Sequence, residues 1–106
     1  MKQLKFAEPP PKLILSGQKD TTWRINDDKN ITVGDEFSLC YNNGQEFTKA
    51  KVIRVKETTF ENLTDEDKKG HEKFSSDEKM YQTYSKYYNM PVTPKTKVKV
   101  VKFKLL

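Results

Sequence analysis

One stretch of eight residues, from Gly17 to Arg24, concentrates the side chains that could do covalent chemistry. It contains an amine on Lys19, hydroxyls on Thr21 and Thr22, and a guanidinium on Arg24. A hydroxyl beside an amine is a nucleophile-plus-base arrangement of the Ser-Lys kind. Lys19 can act as a base only when it is neutral, so burial or a neighbouring cation such as Arg24 must lower its pKa from about 10.4. The alternative interpretation is that Lys19 and Thr22 are surface residues and that Arg24 pairs with an acid.

Residue counts exclude most other catalytic and metal-binding sets. The chain has one cysteine, Cys40, and one histidine, His71, so it can form neither an internal disulfide nor a structural zinc site. Its four glycines are scattered and do not make a phosphate-binding loop. The acids at 65–67 are better explained as the first turn of a helix than as a metal cluster. We therefore expect neither a metal nor a cofactor.

Length and composition indicate a small, polar, globular protein. The 106 residues support one domain over 1–106, and five Tyr, six Phe and one Trp supply large side chains for a core. The net charge of +5 favours nucleic acid or anionic small molecules as partners. No apolar run approaches the ~20 residues that span a bilayer, and no secretion signal is visible. We therefore expect a cytoplasmic protein without membrane contact.

The alternation of residues 20–25 predicts a strand that positions the reactive groups. Thr22 and Arg24 fall on one face of this strand, whereas Trp23 falls on the opposite face and should pack on the core. Lys19 lies on the loop that enters the strand. The three polar side chains could therefore converge at the mouth of a barrel.

Strands outnumber helices in the rest of the pattern. The predicted strands cover residues 4–6, 20–25, 37–41, 46–56 and 97–105, and the predicted helices cover 12–16, a short segment after Thr64, and 77–88. Asn42-Asn43-Gly44 is a hairpin signal. The alternation slips at Val52-Ile53 and again at Val100-Val101, which predicts two bulged strands in a curved sheet. This order predicts an α+β, mainly β protein: a small, mostly antiparallel barrel with short helices packed across its openings.

The predicted helices have recognisable ends. Pro9-Pro10-Pro11 opens the first helix, and Gly17 should end it in a left-handed conformation. Ser75-Ser76-Asp77-Glu78 matches a capping box with Glu78 at the third position. Met and Tyr side chains at 80, 81, 84, 87 and 88 form one helical face, which predicts core packing with tyrosine hydroxyls at a hydrated rim.

The pattern Gly17-x-Lys19-x-x-Thr22-x-Arg24, after a short helix and before a Gly34-Asp35 turn, resembles the signature of the ASCH domain family. The segments around 63–67 and 70–72, the Ser-capped helix and the basic last strand also follow in the order expected for that family. ASCH domains are small β-barrels related to the PUA fold of RNA-modification proteins. The resemblance covers nearly the whole chain and implies a PUA-like mixed β-barrel.

Within that family the chain is similar to small bacterial amidohydrolases that remove the acetyl group from N(4)-acetylcytidine. The resemblance implies Lys19 as base, Thr22 as nucleophile and a glutamate as third partner. Counting back from the cap at 75–78 places this glutamate at Glu72, whereas counting forward from Leu63-Thr64 reaches His71. Arg24, or backbone N–H groups near Gly17, would hold the oxyanion, and Trp23 would shape the substrate pocket.

A nucleic-acid-binding module is the alternative function, because the PUA kinship and the positive charge both permit it. Arg24 would then lie in a groove beside a basic face formed by Lys51, Arg54, Lys56, Lys97, Lys99, Lys102 and Lys104. Cleavage of single-stranded RNA is a hybrid of the two hypotheses, since some family members are ribonucleases. A barrel that binds another protein also remains open, as does the oligomeric state.

Overall fold

The computed structural model describes residues 2–6, 10–27 and 29–106, and within them the elements follow the predicted order. The five strands are β1 (Lys2–Phe6), β2 (Thr21–Arg24), β3 (Glu36–Tyr41), β4 (Glu46–Thr59) and β5 (Lys97–Leu105). The helices are α1 (Pro10–Leu15), α2 (Asp65–Lys68) and α3 (Asp77–Tyr88), with a 3-10 turn at Phe60–Asn62. Of the predicted Pro9-Pro10-Pro11 helix start, Pro9 lies outside the described residues. No helix in the described ranges is long and apolar enough to cross a bilayer.

All five strands belong to one mixed sheet in the order β1-β3-β4-β5-β2. β1 pairs with β3 in parallel, and the other neighbours are antiparallel. β1 and β2 are therefore the two edges, yet the Arg24 guanidinium on β2 lies 4.7 Å from the centre of the Phe6 ring on β1. The sheet must curl to bring its edges this close. The predicted mainly β, barrel-like fold is confirmed, with a seam between β1 and β2.

The bulges that help to curl the sheet both lie on β4. The predicted slip at Val52-Ile53 is confirmed, because the pairing with β5 shifts register between Val52 and Arg54. A second shift occurs in the pairing of β4 with β3. Leu39 pairs with Thr48 and Cys40 pairs with Glu46, so Phe47 is the extra residue on β4. An extra residue on one strand bends that strand and increases its twist.

The predicted bulge in β5 is wrong. Val100 and Val101 pair with successive residues of β2 without a shift. The apparent slip arises because the two ends of β5 bury opposite faces against two different cores. Val101 and Phe103 pack in a first core with β1, α1, β3 and β4, whereas Val98 and Val100 pack in a second core with α3.

A glycine and two side-chain caps define the helix ends. Gly17 follows α1 with a φ of +84°, as predicted. Thr64 and Asp67 form a reciprocal capping box at the start of α2. At α3 the N-cap is Ser76, whose hydroxyl accepts from the Lys79 N–H at 3.1 Å. The predicted capping box with Glu78 at the third position is therefore wrong, because the cap lies one residue later and Lys79 occupies the third position.

A pair of matched substitutions tests which serine caps α3. Ser76→Ala removes the hydroxyl that accepts the Lys79 N–H, and it should lower the free energy of unfolding by about 1 kcal/mol. Ser75→Ala should change it by less than about 0.5 kcal/mol, as an exposed substitution away from a cap does. Urea denaturation of both variants measures the difference. A larger loss at Ser75 would contradict the assigned cap.

Candidate active site

A cavity of about 290 Å³ opens at the seam between the two edge strands. Its size is near the lower limit of small-molecule sites, which occupy roughly 300 to 1,000 Å³. Both edge strands, α1, the β3–β4 hairpin, α3 and the turn before α3 contribute to its wall. The lining residues are Lys5, Phe6, Pro10, Lys19, Thr22, Trp23, Arg24, Asn42, Glu72, Tyr84, Tyr87 and Tyr88.

The turn before α3 is docked directly on the start of β2. The backbone N–H groups of Asp20 and Thr21 both donate to the Gly70 carbonyl, at 2.9 and 3.1 Å. The Thr21 hydroxyl donates to the Lys69 carbonyl at 3.0 Å. Gly70 has a φ of +76°, and a Cβ there would lie 1.8 Å from Asp20 Oδ1. Glycine therefore permits the close approach that carries Glu72 to the cavity.

Lys19 is buried and forms two short hydrogen bonds. Its Nζ donates to Glu72 Oε2 at 2.5 Å and to the Thr21 carbonyl at 2.7 Å, and only 3% of the side chain is exposed. Burial lowers the pKa of Lys19 to about 8, although the Glu72 charge opposes this and the Arg24 charge adds only a little to it. Because its pKa is near neutrality, Lys19 can gain or lose a proton during a reaction.

Glu72, rather than His71, is the acidic partner of Lys19. The two residues are 53 positions apart in the chain, so their pairing is a purely tertiary contact. Burial alone would raise the pKa of the Glu72 carboxyl, but the charge of Lys19 and the nearby His71 outweigh it and hold the pKa below its ordinary value. Of the two residues that the sequence left open, Glu72 is the one whose side chain contacts Lys19.

The Thr22 hydroxyl forms no hydrogen bond with any described residue, and Thr22 lines the same cavity. Thr22 is buried, and its backbone is opposite Val101 of β5. The predicted direct pair between Lys19 and Thr22 is not formed, because the Lys19 amine donates to Glu72 and to the Thr21 carbonyl instead. The Thr22 hydroxyl is therefore available to a bound molecule.

Arg24 lies on the same strand face as Thr22, as predicted. Its guanidinium lies over the Phe6 ring, and its Nε is buried without a hydrogen-bond partner among the described residues. An unpaired buried N–H is costly unless a ligand or water accepts from it. The alternative that Arg24 pairs with an acid has no support in residues 2–6, 10–27 and 29–106.

Two other predicted substrate-binding residues differ in their placement. Trp23 lines the cavity and its indole N–H donates to the Asp67 carbonyl at 3.1 Å, so its ring is held in place. Gly17 does not line the cavity, and its N–H donates to the Ile14 carbonyl at the end of α1. The neighbouring N–H groups of Gln18 and Lys19 both donate to the Leu13 carbonyl, so these backbone groups near Gly17 already have acceptors in the free protein.

His71 and Tyr84 form a buried pair beside the site that the sequence did not predict. The imidazole stacks on Trp23 with 3.7 Å between ring centres, and His71 Nε2 lies 2.9 Å from the Tyr84 hydroxyl. The helical spacing correctly placed Tyr84 in the core, but the expectation that its hydroxyl stays hydrated is wrong. Only the adjacency of His71 to Glu72 in the sequence could have pointed to this pair.

The basic face predicted for nucleic acid is partly neutralised and divided. Arg54 and Lys56 both pair with the buried Asp67, and Lys99 pairs with Asp27 at 2.7 Å. Of the remaining predicted residues, Lys51 is opposite Lys104 and Lys102 is opposite Arg54 towards one end of the β4–β5 ladder, whereas Lys97 pairs with Thr59 at the other end. Among the described residues, no group of three or more His, Cys, Asp or Glu could hold a metal ion.

Several solved structures share this fold. An ASCH domain from Lactobacillus crispatus superposes with a TM-score of 0.70 and 12% identity, over 90% of this chain and 69% of that one. ASCH from Zymomonas mobilis gives a TM-score of 0.63 and 13% identity, over 97% and 67%. A hypothetical protein, PH0355, gives 0.75 and 23% identity over the full length of both chains.

No protein-family model matches the sequence, and neither does any curated protein. At identities below 25%, the likeness to solved structures establishes the fold. The chain has the PUA-like fold of ASCH domains.

Two glycine substitutions test the docked turn. Gly70→Ala adds a methyl group where the Asp20 carboxylate already lies, so the Asp20 side chain must move, and this cost is added to the strain of a positive φ. The free energy of unfolding should fall by about 1 to 3 kcal/mol, more than for substitution of a glycine with positive φ alone. Gly44→Ala is the control, because Gly44 also has positive φ (+90°) but no atom lies within 4 Å of the place that an added methyl group would take. Urea denaturation compares the two variants. Equal losses would show that the close approach at Gly70 is unimportant.

Proposed function

We propose that this protein is an amidohydrolase that removes the acetyl group from N(4)-acetylcytidine or a closely related acylated nucleoside. The observation that carries the proposal is that Lys19, Thr22 and Glu72 line one cavity. Lys19 also donates a hydrogen bond to the Glu72 carboxylate. These are the base, nucleophile and carboxylate that hydrolysis of an amide through an acyl-enzyme requires. The resemblance of the sequence to acetylcytidine amidohydrolases supports the choice of substrate.

In the first step Thr22 adds to the acetyl group and forms a tetrahedral intermediate. Neutral Lys19 takes the hydroxyl proton, and Thr22 Oγ1 forms a bond to the acetyl carbonyl carbon. Lys19 and Thr22 are not hydrogen-bonded in the free protein, and such catalytic contacts often tighten only when substrate is bound. Arg24 lines the cavity and has no acidic partner among the described residues, so its guanidinium can donate to the oxyanion that develops, a contribution worth about 3 kcal/mol.

The second step releases cytidine and then acetate. The hydrogen bond between Lys19 and Glu72 gives the transferred proton a route to the carboxylate, which delivers it to the exocyclic nitrogen as the C–N bond breaks. Cytidine leaves, and the acetyl group remains on Thr22 as an ester. Water attacks the ester carbonyl while Lys19 takes one of its protons. The bond from the carbonyl carbon to Thr22 Oγ1 then breaks, Oγ1 takes that proton from Lys19, and acetic acid leaves and ionises to acetate.

Aromatic side chains support a nucleobase as the leaving group. Tyr87 and Tyr88 line the cavity and keep exposed surface, with Tyr87 56% exposed, whereas Trp23 and Tyr84 are buried and Trp23 is already stacked on His71. Aromatic rings offer stacking surfaces for bases, worth about 1 to 3 kcal/mol per base. RNA binding remains the alternative, but the ion pairs of Arg54, Lys56 and Lys99 leave it with less support.

Substitution of the nucleophile tests the reaction. Thr22→Val keeps the shape of the side chain but removes the hydroxyl, so kcat/KM for acetylcytidine should fall at least about 1,000-fold. Thr22→Ser is the control and should retain measurable activity, because a hydroxyl is still present. Release of cytidine and acetate by the purified variants gives the comparison. Undiminished activity in folded Thr22→Val would refute the proposal.

The pKa of Lys19 sets the expected pH dependence. Lys19 must be neutral to accept the Thr22 proton, and its pKa is about 8, so kcat/KM should rise with pH and level off above about pH 8. At pH 7 only about one molecule in ten has neutral Lys19. Lys19→Arg keeps the positive charge but cannot act as a base, so it should be inactive across the range. A profile that is flat from about pH 6 to 9 would exclude Lys19 as the base.

A further inference from the structure

The charges that line the cavity do not balance. Lys5, Lys19 and Arg24 are cations, whereas Glu72 is the one carboxylate among the described lining residues. Lys19 and Glu72 pair with each other. Lys5 and Arg24 form no ion pair with any acid in residues 2–6, 10–27 and 29–106. Because a cleft lined by one sign of charge concentrates ligands of the opposite sign, the cavity favours an anion.

The two cations without an acid come from opposite sides of the seam. Lys5 belongs to β1 and Arg24 belongs to β2, which are the two edge strands of the sheet. The Arg24 guanidinium lies over the ring of Phe6, the residue that follows Lys5 in the chain. Both cations line the cavity, so the positive charge of each acts on a ligand bound at the seam.

The exposure of the lining residues shows which end of the cavity is open. Lys19 and Thr22 are buried, so the candidate base and nucleophile lie at the inner end. Lys5 and Tyr87 line the same cavity but are exposed to solvent, so they lie at its mouth. A ligand that reaches Thr22 with one end therefore presents its other end to Lys5.

This arrangement orients the proposed substrate. In N(4)-acetylcytidine the acetylated nitrogen is attached to C4, across the pyrimidine ring from N1, which carries the ribose. When the acetyl group reaches Thr22, the ribose must point towards the mouth. The cavity of about 290 Å³ is near the lower limit of small-molecule sites, so a further substituent on the ribose has room only at the mouth, beside Lys5.

We propose that the substrate is an acylated cytidine monophosphate, with the phosphate on its ribose, and that Lys5 binds this phosphate at the mouth of the cavity. The Lys5 ammonium donates charge-assisted hydrogen bonds to the phosphate oxygens, and Arg24 remains available to the oxyanion. The acylated base in this proposal rests on the proposed amidohydrolase function. The phosphate site is a property of the free protein and can be measured by binding alone.

Deacylated ligands measure the phosphate site without turnover. Cytidine, cytidine 5′-monophosphate and cytidine 3′-monophosphate share the base and ribose and differ in the phosphate. Isothermal titration calorimetry of the free protein gives a Kd for each. We expect at least one monophosphate to bind about 10-fold more tightly than cytidine, because hydrogen bonds to a charged group are added. Equal affinities for the three ligands would overturn the proposal whatever the enzyme activity is.

Two matched lysine variants separate a local site from the overall charge of the protein. Lys5→Gln removes a cation at the mouth, whereas Lys12→Gln removes one from an exposed position on α1 that does not line the cavity. Lys5→Gln should reduce the preference for the monophosphate over cytidine to less than about 3-fold. Lys12→Gln should keep the full preference. Equal reductions in the two variants would indicate net charge alone and contradict the proposal.

A cytidine octanucleotide distinguishes a free nucleotide from RNA as the source of the phosphate. We expect the octanucleotide to bind no more tightly than the monophosphate, because the cavity has room for one nucleoside. Much tighter binding that weakens steeply with salt would assign the site to RNA and overturn the proposal of a mononucleotide.

The binding results and the hydrolysis assay can fail independently. If the monophosphate is preferred but no acylated cytidine is hydrolysed, the phosphate site stands and the proposed function fails. If acetylcytidine is hydrolysed but the monophosphate is not preferred, the function stands and the phosphate site is refuted.

Discussion

The contact on which the site depends is the docking of the Gly70 carbonyl on the N–H groups of Asp20 and Thr21. It joins a turn late in the chain to the start of β2, and it leaves Lys19 and Glu72 facing each other in a buried setting. A buried ion pair is weak evidence for stability, because desolvation offsets much of the attraction. Here its consequence is chemical: burial and the opposing carboxylate together set the pKa of Lys19 near 8.

A second anchor, the buried carboxylate of Asp67, holds the wall behind the site. The carboxylate accepts hydrogen bonds from Lys56 Nζ at 2.8 Å and from the Thr64 N–H at 3.0 Å. The backbone carbonyl of Asp67 accepts a hydrogen bond from the Trp23 indole N–H. Trp23 in turn stacks on His71. Removal of the Lys56 amine would leave the buried Asp67 carboxylate without its cation, and removal of the Trp23 indole N–H would leave the Asp67 carbonyl without that donor. The loss of stability in each case would exceed the net contribution of the intact interaction. The capping box of α2 is thus connected through Trp23 to His71, the residue that precedes Glu72 in the chain.

The location of the cavity follows from how the sheet curls. Both β4 bulges increase its twist, and the two edge strands approach without pairing, as the contact between Arg24 and Phe6 shows. β2 consequently buries both of its faces, with Thr22 and Arg24 on the side of the first core and Trp23 on the side of the second. An unpaired seam is the place in such a fold where polar side chains can reach a bound molecule while their stems stay packed.

Sequence alone determined the features that depend on neighbouring residues: the alternation that puts Thr22 and Arg24 on one face, the order of strands and helices, and the left-handed Gly17. It could not decide between His71 and Glu72, and it mistook the change of core along β5 for a bulge. Periodicity reports which residues share a face, but it does not report which distant segment covers that face. The pairing of Lys19 with Glu72 and of His71 with Tyr84 was decided by tertiary structure, because backbone docking and burial bring those groups together across long separations in the chain.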